Sequence, residues 1–251
     1  MMQEELKTAV EAAHAAGRLL IENCGAEMQV DEFADHDIKL ELDVRSQDLI
    51  TGILLGRFPH HALYGEEGIV GDQASEWQWV VDPIDGTVNY FFGIPHFCVS
   101  IGLRRHGEIV LGVILDPSRD ELWTVVRGGV PELNGRPIAV SRRSELRQSV
   151  MTVGFSKTKQ SMAVGFERFQ ALAYEVRKTR MLGSAALAMA YIACGRLDAY
   201  IEEEISLWDI AAGWLLVEAA GGTVVMKQSE SAADKFFICA SNGKLPLEPF
   251  Q

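Results

Sequence analysis

The chain is expected to fold as an α/β or α+β layered sandwich, and three observations carry that expectation. Segments of helical and of strand-like character alternate along its length, with no internal repeat and no low-complexity linker. Its 251 residues, 48% of them hydrophobic, suffice to bury a sizeable core in one large domain or two small ones. No apolar run reaches the ~18 residues that a membrane span needs.

The elements follow in order. Residues 4–23 carry Leu6, Val10, Ala13, Gly17, Leu20 and Ile21 near helical period, and Gly25 follows as a stop. A second helix is expected over 44–57, ending near Phe58-Pro59. A polar gap at 68–76 leads to Trp77-Gln78-Trp79-Val80-Val81, apolar and β-branched, a buried strand that delivers Asp82 to its C-terminal end. Residues 97–103 and 109–115 read as strands joined across His106-Gly107, with a third at 122–126 and a turn at Asn134-Gly135. The second half predicts a strand at 149–153, a helix around 161–176, a tightly packed small-residue helix from Ala185 to Cys194, and a strand from Leu197 to Ile201. A helix from Ile210 to Ala220 follows, stopped by Gly221-Gly222, and a strand begins at Thr223. A boundary near 140–150 divides the chain into an N-terminal α+β half, 1–145, and a C-terminal α/β half, 146–251.

Composition excludes several functions. The net charge is −12 and no Lys/Arg cluster stands out, which argues against a nucleic-acid surface. Cys24, Cys98, Cys194 and Cys239 are far apart with no C-x-x-C pair, so they read as reduced, mostly buried thiols; no His-x-x-x-His spacing suggests catalytic zinc. The acidic start, Met1-Met2-Gln3-Glu4-Glu5, argues against a secretory signal, and a soluble cytoplasmic protein is expected.

The chemistry concentrates in residues 82–89, Asp-Pro-Ile-Asp-Gly-Thr-Val-Asn. Pro83 fixes one φ between the two acids and Gly86 permits an unusual one, so the segment is a sharp turn. Carboxylates at a strand end, followed by small residues with free N–H groups, suit a hard cation and a phosphate bound side by side; an Asp-rich surface turn is the plain alternative. Three further acidic spots gain meaning from this turn. Gly65-Glu66-Glu67-Gly68 reads as carboxylates at the mouth of a strand, or as a solvated loop. In Trp208-Asp209-Ile210-Ala211-Ala212-Gly213, Asp209 precedes a small-residue helix, where capping is a full competing explanation. Asp43, alternating with apolar residues, is otherwise an exposed strand or helix acid.

Together, Asp-Pro-Ile-Asp-Gly-Thr, Gly-Glu-Glu and Trp-Asp-Ile-Ala-Ala-Gly, in this order, make the chain resemble the inositol monophosphatase family of magnesium-dependent, lithium-sensitive phosphatases. The resemblance spans Asp43 to Gly222 and implies an αβαβα sandwich. It implies that Glu66, Asp82 and the carbonyl of Ile84 hold one Mg²⁺, that Asp82, Asp85 and Asp209 hold a second, and that Glu66 also serves a third, weaker ion, with Mn²⁺ a possible substitute. Asp43 and Thr87 match the pair that deprotonates the attacking water. The N–H groups of Gly86 and Thr87 match phosphate contacts, and Asp85, Ala185 and Glu202, with Gly183 and Ser184 on the same loop, match positions around the substrate's hydroxyls. Lithium inhibition and a homodimer, with 161–176 as a candidate interface, are implied as well.

The physical case stands beside the resemblance. Converging acids in a low-dielectric cleft repel one another by several kcal/mol, and divalent cations remove that cost. All the ligands are oxygens, which favours Mg²⁺ or Mn²⁺. Two ions about 3.5–4 Å apart would stabilise the attacking and leaving oxygens of an in-line displacement with water as nucleophile. The sequence departs from the family where Lys39-Leu40 stands in place of a usual Val-Thr, and where the usual upstream lysine is displaced; Lys39 either replaces it or is solvated. A small polyol phosphate, foremost inositol monophosphate, is the expected substrate. Histidinol phosphate or fructose 1,6-bisphosphate is the alternative, with Arg168, Arg177, Lys178 and Arg180 as candidates for a second phosphate. A non-catalytic metal-binding regulator is the alternative of another class. The run Glu202-Glu203-Glu204 reads otherwise as an exposed acidic loop.

Overall fold

The computed structural model describes residues 2–25, 30–34, 37–155, 158–229 and 235–250. The chain opens with helix α1 (Gln3–Asn23), the hairpin β1 (Val30–Ala34) and β2 (Asp37–Leu40), and helix α2 (Glu41–Arg57). Strands β3 (Ala62–Gly65), β4 (Gly68–Val70) and β5 (Trp77–Asp85) follow, then the short helix α3 (Thr87–Phe91). A meander of β6 (Cys98–Arg105), β7 (Glu108–Asp116), β8 (Glu121–Val126), β9 (Glu132–Leu133) and β10 (Arg136–Pro137) completes an eight-stranded sheet ordered β10-β9-β8-β7-β6-β5-β3-β4. The remainder supplies β11 (Val150–Val153), α4 (Lys159–Glu175), β12 (Lys178–Arg180), α5 (Ala185–Ala193), β13 (Ala199–Ser206), α6 (Leu207–Ala219), β14 (Thr223–Gln228) and β15 (Lys235–Ser241). These strands form a five-stranded sheet ordered β12-β11-β13-β15-β14.

The layers are those of an αβαβα sandwich. Helices α1 and α2 cover one face of the large sheet, joining Ala9, Ala13 and Leu20 to Trp79, Ile101 and Leu111 in one core. Helices α5 and α6 lie between the two sheets in a second core with Val80, Trp123, Tyr200 and Ile238. Helix α4 covers the outer face of the small sheet, where Leu172 meets Met151, Ile201 and Phe237.

Helix α6 rests almost directly on the large sheet. Gly102 of β6 and Gly112 of β7 are register partners, and a Cβ on Gly112 would lie 2.7 Å from the carbonyl oxygen of Ala212. Ala211 and Ala212 of α6 fill that seat, which is why Trp-Asp-Ile-Ala-Ala-Gly is built of small residues.

Most expected elements hold with shifted ends. Helix α2 begins at Glu41 rather than 44, α6 at Leu207 rather than 210, and β13 runs on to Ser206 rather than ending at Ile201. The polar gap contains the short, exposed edge strand β4. His106 (φ 48°) and Gly107 (φ 83°) form the expected tight turn, as do Asn134 (φ 49°) and Gly135 (φ 72°). Of the four free thiols, Cys98 and Cys239 are buried but Cys24 is exposed. No helix among the described residues is long and apolar enough to cross a membrane. The Lys39 side chain lies outside the described residues.

Candidate active site

Strand β5 builds the centre of the site. Trp79, Val80 and Val81 are fully buried and anchor the strand, and its ladder with β6 slips between Asp82 and Asp85. A slip of this kind re-aims side chains at a sheet end. The Ile84 N–H donates to Asp82 Oδ1 at 3.0 Å, pinning that carboxylate within the turn. Gly86 follows at φ +95°, and a Cβ there would lie 3.0 Å from the His96 carbonyl oxygen and 3.1 Å from that of Gly183. Both backbone angle and space therefore demand glycine.

Asp43 and Asp209 are held by one device in two places. Each occupies the third position of its helix and accepts the N–H of the residue before that helix: Leu40 to Asp43 at 2.8 Å, Ser206 to Asp209 at 2.9 Å. This reach-back satisfies an amide that the helix leaves without a partner. Asp43 is thus buried, at 2% exposure, and not the exposed acid its surroundings suggested. Asp209 stabilises α6 from within its first turn and does not precede the helix.

Asp85 meets the start of α5. Its carboxylate accepts the Ser184 hydroxyl, the Ala185 N–H at 3.2 Å and the Ala186 N–H at 2.8 Å. A negative group there answers the positive end of the helix. The start of α5, from Ser184 to Ala186, thereby docks on the turn that follows β5.

The carboxylate oxygens of Asp82, Asp85 and Asp209 come within 4.8 Å of one another. They line a cavity of about 600 Å³ that also exposes Glu66, Ile84, Gly86, Thr87, Gly183, Ser184, Ala185 and Glu202. Asp43 is not on the cavity wall; it stands behind Thr87, whose hydroxyl lies 3.4 Å from Asp43 Oδ1 and 2.9 Å from the Ile84 carbonyl oxygen. All twelve residues that the resemblance assigns to the site therefore converge on one place.

The electrostatics are those of like charges clustered in a buried site. Burial first, and then Glu66, Asp85, Asp209 and Asp43, hold Asp82 well above the usual carboxylate range. Burial and Asp209 push Asp85 up to about 6 against the opposing pull of its three hydrogen bonds. Such shifts arise where like charges share a low-dielectric site.

Glu202 is no part of an exposed acidic loop. It lies on β13 just before that strand's ladder with β15 slips, and Glu204 beyond it takes a positive φ of 55°. The Tyr200 hydroxyl donates to Glu202 Oε2, and desolvation, the largest influence, pushes the carboxyl up to about 8. Gly154 makes room for this arrangement: a Cβ there would overlap the Glu202 carboxyl, 1.5 Å from Oε2.

The sequence reading missed Tyr200, Gly154, Asn89 and Lys235, all on the cavity wall. Lys235 contacts the Ser206 hydroxyl and stands 5.6 Å from the Trp208 ring centre. Arg168, Arg177, Lys178 and Arg180 are not on that wall. Arg168 instead pairs with Glu203 at 2.7 Å.

The chain is similar along most of its length to known proteins. The family model described as "Inositol monophosphatase family" matches residues 1–246. A protein of Xylella fastidiosa named Nus factor SuhB is 40% identical over 228 residues, covering 89% of this chain and 82% of that one. The Inositol-1-monophosphatase of Mesorhizobium japonicum is 39% identical over 242 residues, covering 94% and 91%. The crystal structure of extragenic suppressor protein suhB from Bartonella henselae superposes with a TM-score of 0.89 at 33% identity, covering 96% of this chain and 95% of that one.

Proposed function

The chain belongs to the inositol monophosphatase family, a family of metal-dependent phosphatases, and from that premise we propose that it hydrolyses a small polyol phosphate, foremost inositol monophosphate, with Mg²⁺. The observation that carries this reading is the convergence of Asp82, Asp85 and Asp209 within 4.8 Å, with Glu66 on the same cavity wall. The donor set is entirely oxygen and lacks the sulfur or imidazole that zinc prefers, so it fits a hard divalent cation. Glu66, Asp82, the Ile84 carbonyl, Asp85 and Asp209 would hold two to three ions. When bound, these supply positive charge that cancels the repulsion among the acids, acidifies a water molecule and offsets negative charge on the leaving oxygen.

The protein's own groups do the rest. In this reading Thr87 and Asp43 form a proton relay. Asp43 lies off the cavity wall, so it acts through the Thr87 hydroxyl, whose proton can pass to Asp43 Oδ1 as the hydroxyl takes one from water. The turn at Gly86 and Thr87 offers its N–H groups to the phosphate. In this reading Ser184, Ala185 and Glu202 face the alcohol side of the cavity, where the Glu202 carboxyl can hydrogen-bond to a substrate hydroxyl.

Turnover of a panel of phosphate esters with Mg²⁺ tests the proposal. Inositol monophosphate is expected to exceed histidinol phosphate and fructose 1,6-bisphosphate; equal or better turnover of histidinol phosphate sinks the inositol assignment. Relatives bearing the name Nus factor support a second reading, a metal-binding regulator that acts through protein contacts. Absence of turnover on every ester, with Mg²⁺ binding intact, would favour it. A homodimer, Li⁺ inhibition and the division into halves at 145/146 belong to the same proposal.

A further inference from the structure

Asn89 forms an amide clamp between the two sides of the cavity. Its Nδ2 donates to the carbonyl oxygens of His96 at 2.8 Å and Leu182 at 2.8 Å, with Gly183 O at 3.3 Å. Carbonyls only accept, so the amide must present its NH₂ here and not its oxygen. Two of these acceptors, His96 O and Gly183 O, are the same atoms that close over Gly86. Gly183 in turn has φ +74°, and a Cβ on it would lie 3.0 Å from Asn89 Nδ2. The clamp is therefore packed from both sides. It joins the turn at 86–87, which the proposed function assigns to the phosphate, to the loop at 182–184, which leads into the Asp85-binding start of α5 and which that reading assigns to the alcohol side.

We infer that Asn89 is a positioning residue that fixes the distance between the phosphate-facing turn and the alcohol-facing loop, and so sets selectivity for polyol esters over simple ones. This rests on the phosphatase reading above. A ring polyol phosphate engages both sides at once and needs them in register. Phenyl phosphate, which has no hydroxyl to engage the loop, relies mainly on the turn and the acid cluster. Losing the clamp leaves the His96, Leu182 and Gly183 carbonyls without this donor and loosens the link between the turn and the loop. That is enough to misplace a loop by the fraction of an ångström that matters for orientation.

The test compares wild type, Asn89→Ala and Asn89→Ser on inositol monophosphate and phenyl phosphate with Mg²⁺, reading kcat and KM separately, with melting temperatures as a control for folding. The ratio of kcat/KM for the polyol ester to that for phenyl phosphate should fall about tenfold or more, which equals about 1.4 kcal/mol. Asn89→Ser retains a shorter donor and carries the test if Asn89→Ala does not fold. Equal losses on both esters, or an unchanged ratio, overturn the positioning role and leave the phosphatase reading intact. A wild-type protein inactive on both esters overturns that reading, and this role with it.

Discussion

Thr87 Oγ1 stands between two acceptors from different parts of the chain: the Ile84 carbonyl oxygen at 2.9 Å and Asp43 Oδ1 at 3.4 Å. A hydroxyl carries one proton and can donate it to only one of them at a time. In the proposed reaction the Ile84 carbonyl would help hold a cation, and Asp43 is then the acceptor for the Thr87 proton. Asp43→Asn retains an oxygen for the Leu40 N–H, so the helix start survives while the proton acceptor is lost. Turnover should fall about 10²–10⁴-fold, the usual range for a lost general base, with KM little changed. Steady-state kinetics beside a melting curve separates the two effects. A variant as active as wild type rules out the relay.

Asp82→Asn and Asp209→Asn should abolish hydrolysis without unfolding the protein. Asp82 is buried among like charges, so neutralising it relieves strain in the metal-free fold. With a chelator present at pH 8, the Asp82→Asn protein should melt higher than wild type. The upward shift that Mg²⁺ confers on wild type should disappear.

Stability without metal should depend on pH in a definite direction. Asp85 and Glu202 have folded-state values of about 6 and about 8, above the ordinary carboxylate values near 4 that apply once the chain unfolds. The folded protein therefore binds more protons than the unfolded chain between these limits, and stability falls as pH rises. The loss begins near pH 4, is complete for Asp85 above about 6 and for Glu202 above about 8. Melting curves in chelator from pH 5 to 9 should show this decline, and saturating Mg²⁺ should flatten or reverse it. A flat chelator profile contradicts the clustering of uncompensated acids.

Gly112→Val should damage the site from a distance. Its side chain would collide with the α6 backbone at Ala212, three residues beyond Asp209. Overpacking of this kind costs about 1–3 kcal/mol. Denaturant unfolding should register that loss, and Mg²⁺ titration should show weaker binding, because Asp209 moves with its helix. A variant destabilised but with wild-type Mg²⁺ affinity would separate the seat of α6 from the site.

The sequence made the site legible where residue identity alone carries chemistry. Asp82, Asp85 and Glu66 sit beside glycine and proline, whose backbone preferences act locally, and α1 and α5 announce themselves by period or composition. A helix expected to start at Ile210 puts Asp209 before it, whereas α6 starts at Leu207. Yet Ser206 and Asp209 stand at the spacing of a capping box, a signal present in the sequence. Asp43 has no such signal, since Leu40 offers no capping side chain. β15, Lys-Phe-Phe-Ile-Cys-Ala-Ser, is apolar enough to read as a strand and was passed over. Tyr200 and Glu202 stand two apart on one strand and so share a face, a local signal. Gly154 and Asn89 act through partners 7 to 94 residues away, which nothing local to them reveals.

The order of the strands has a consequence for how a newly made chain acquires its site. β15, the last strand, inserts between β13 and β14 and is the antiparallel partner of the strand that bears Glu202. Asp43 and Asp209 lie 166 positions apart (209 minus 43), so no early fragment on the ribosome can assemble the acids. A cation that needs Asp209 as well as Asp82 and Asp85 therefore binds only the closed fold. It can only lock a fold already closed, and its benefit should appear as slower unfolding and not as faster refolding.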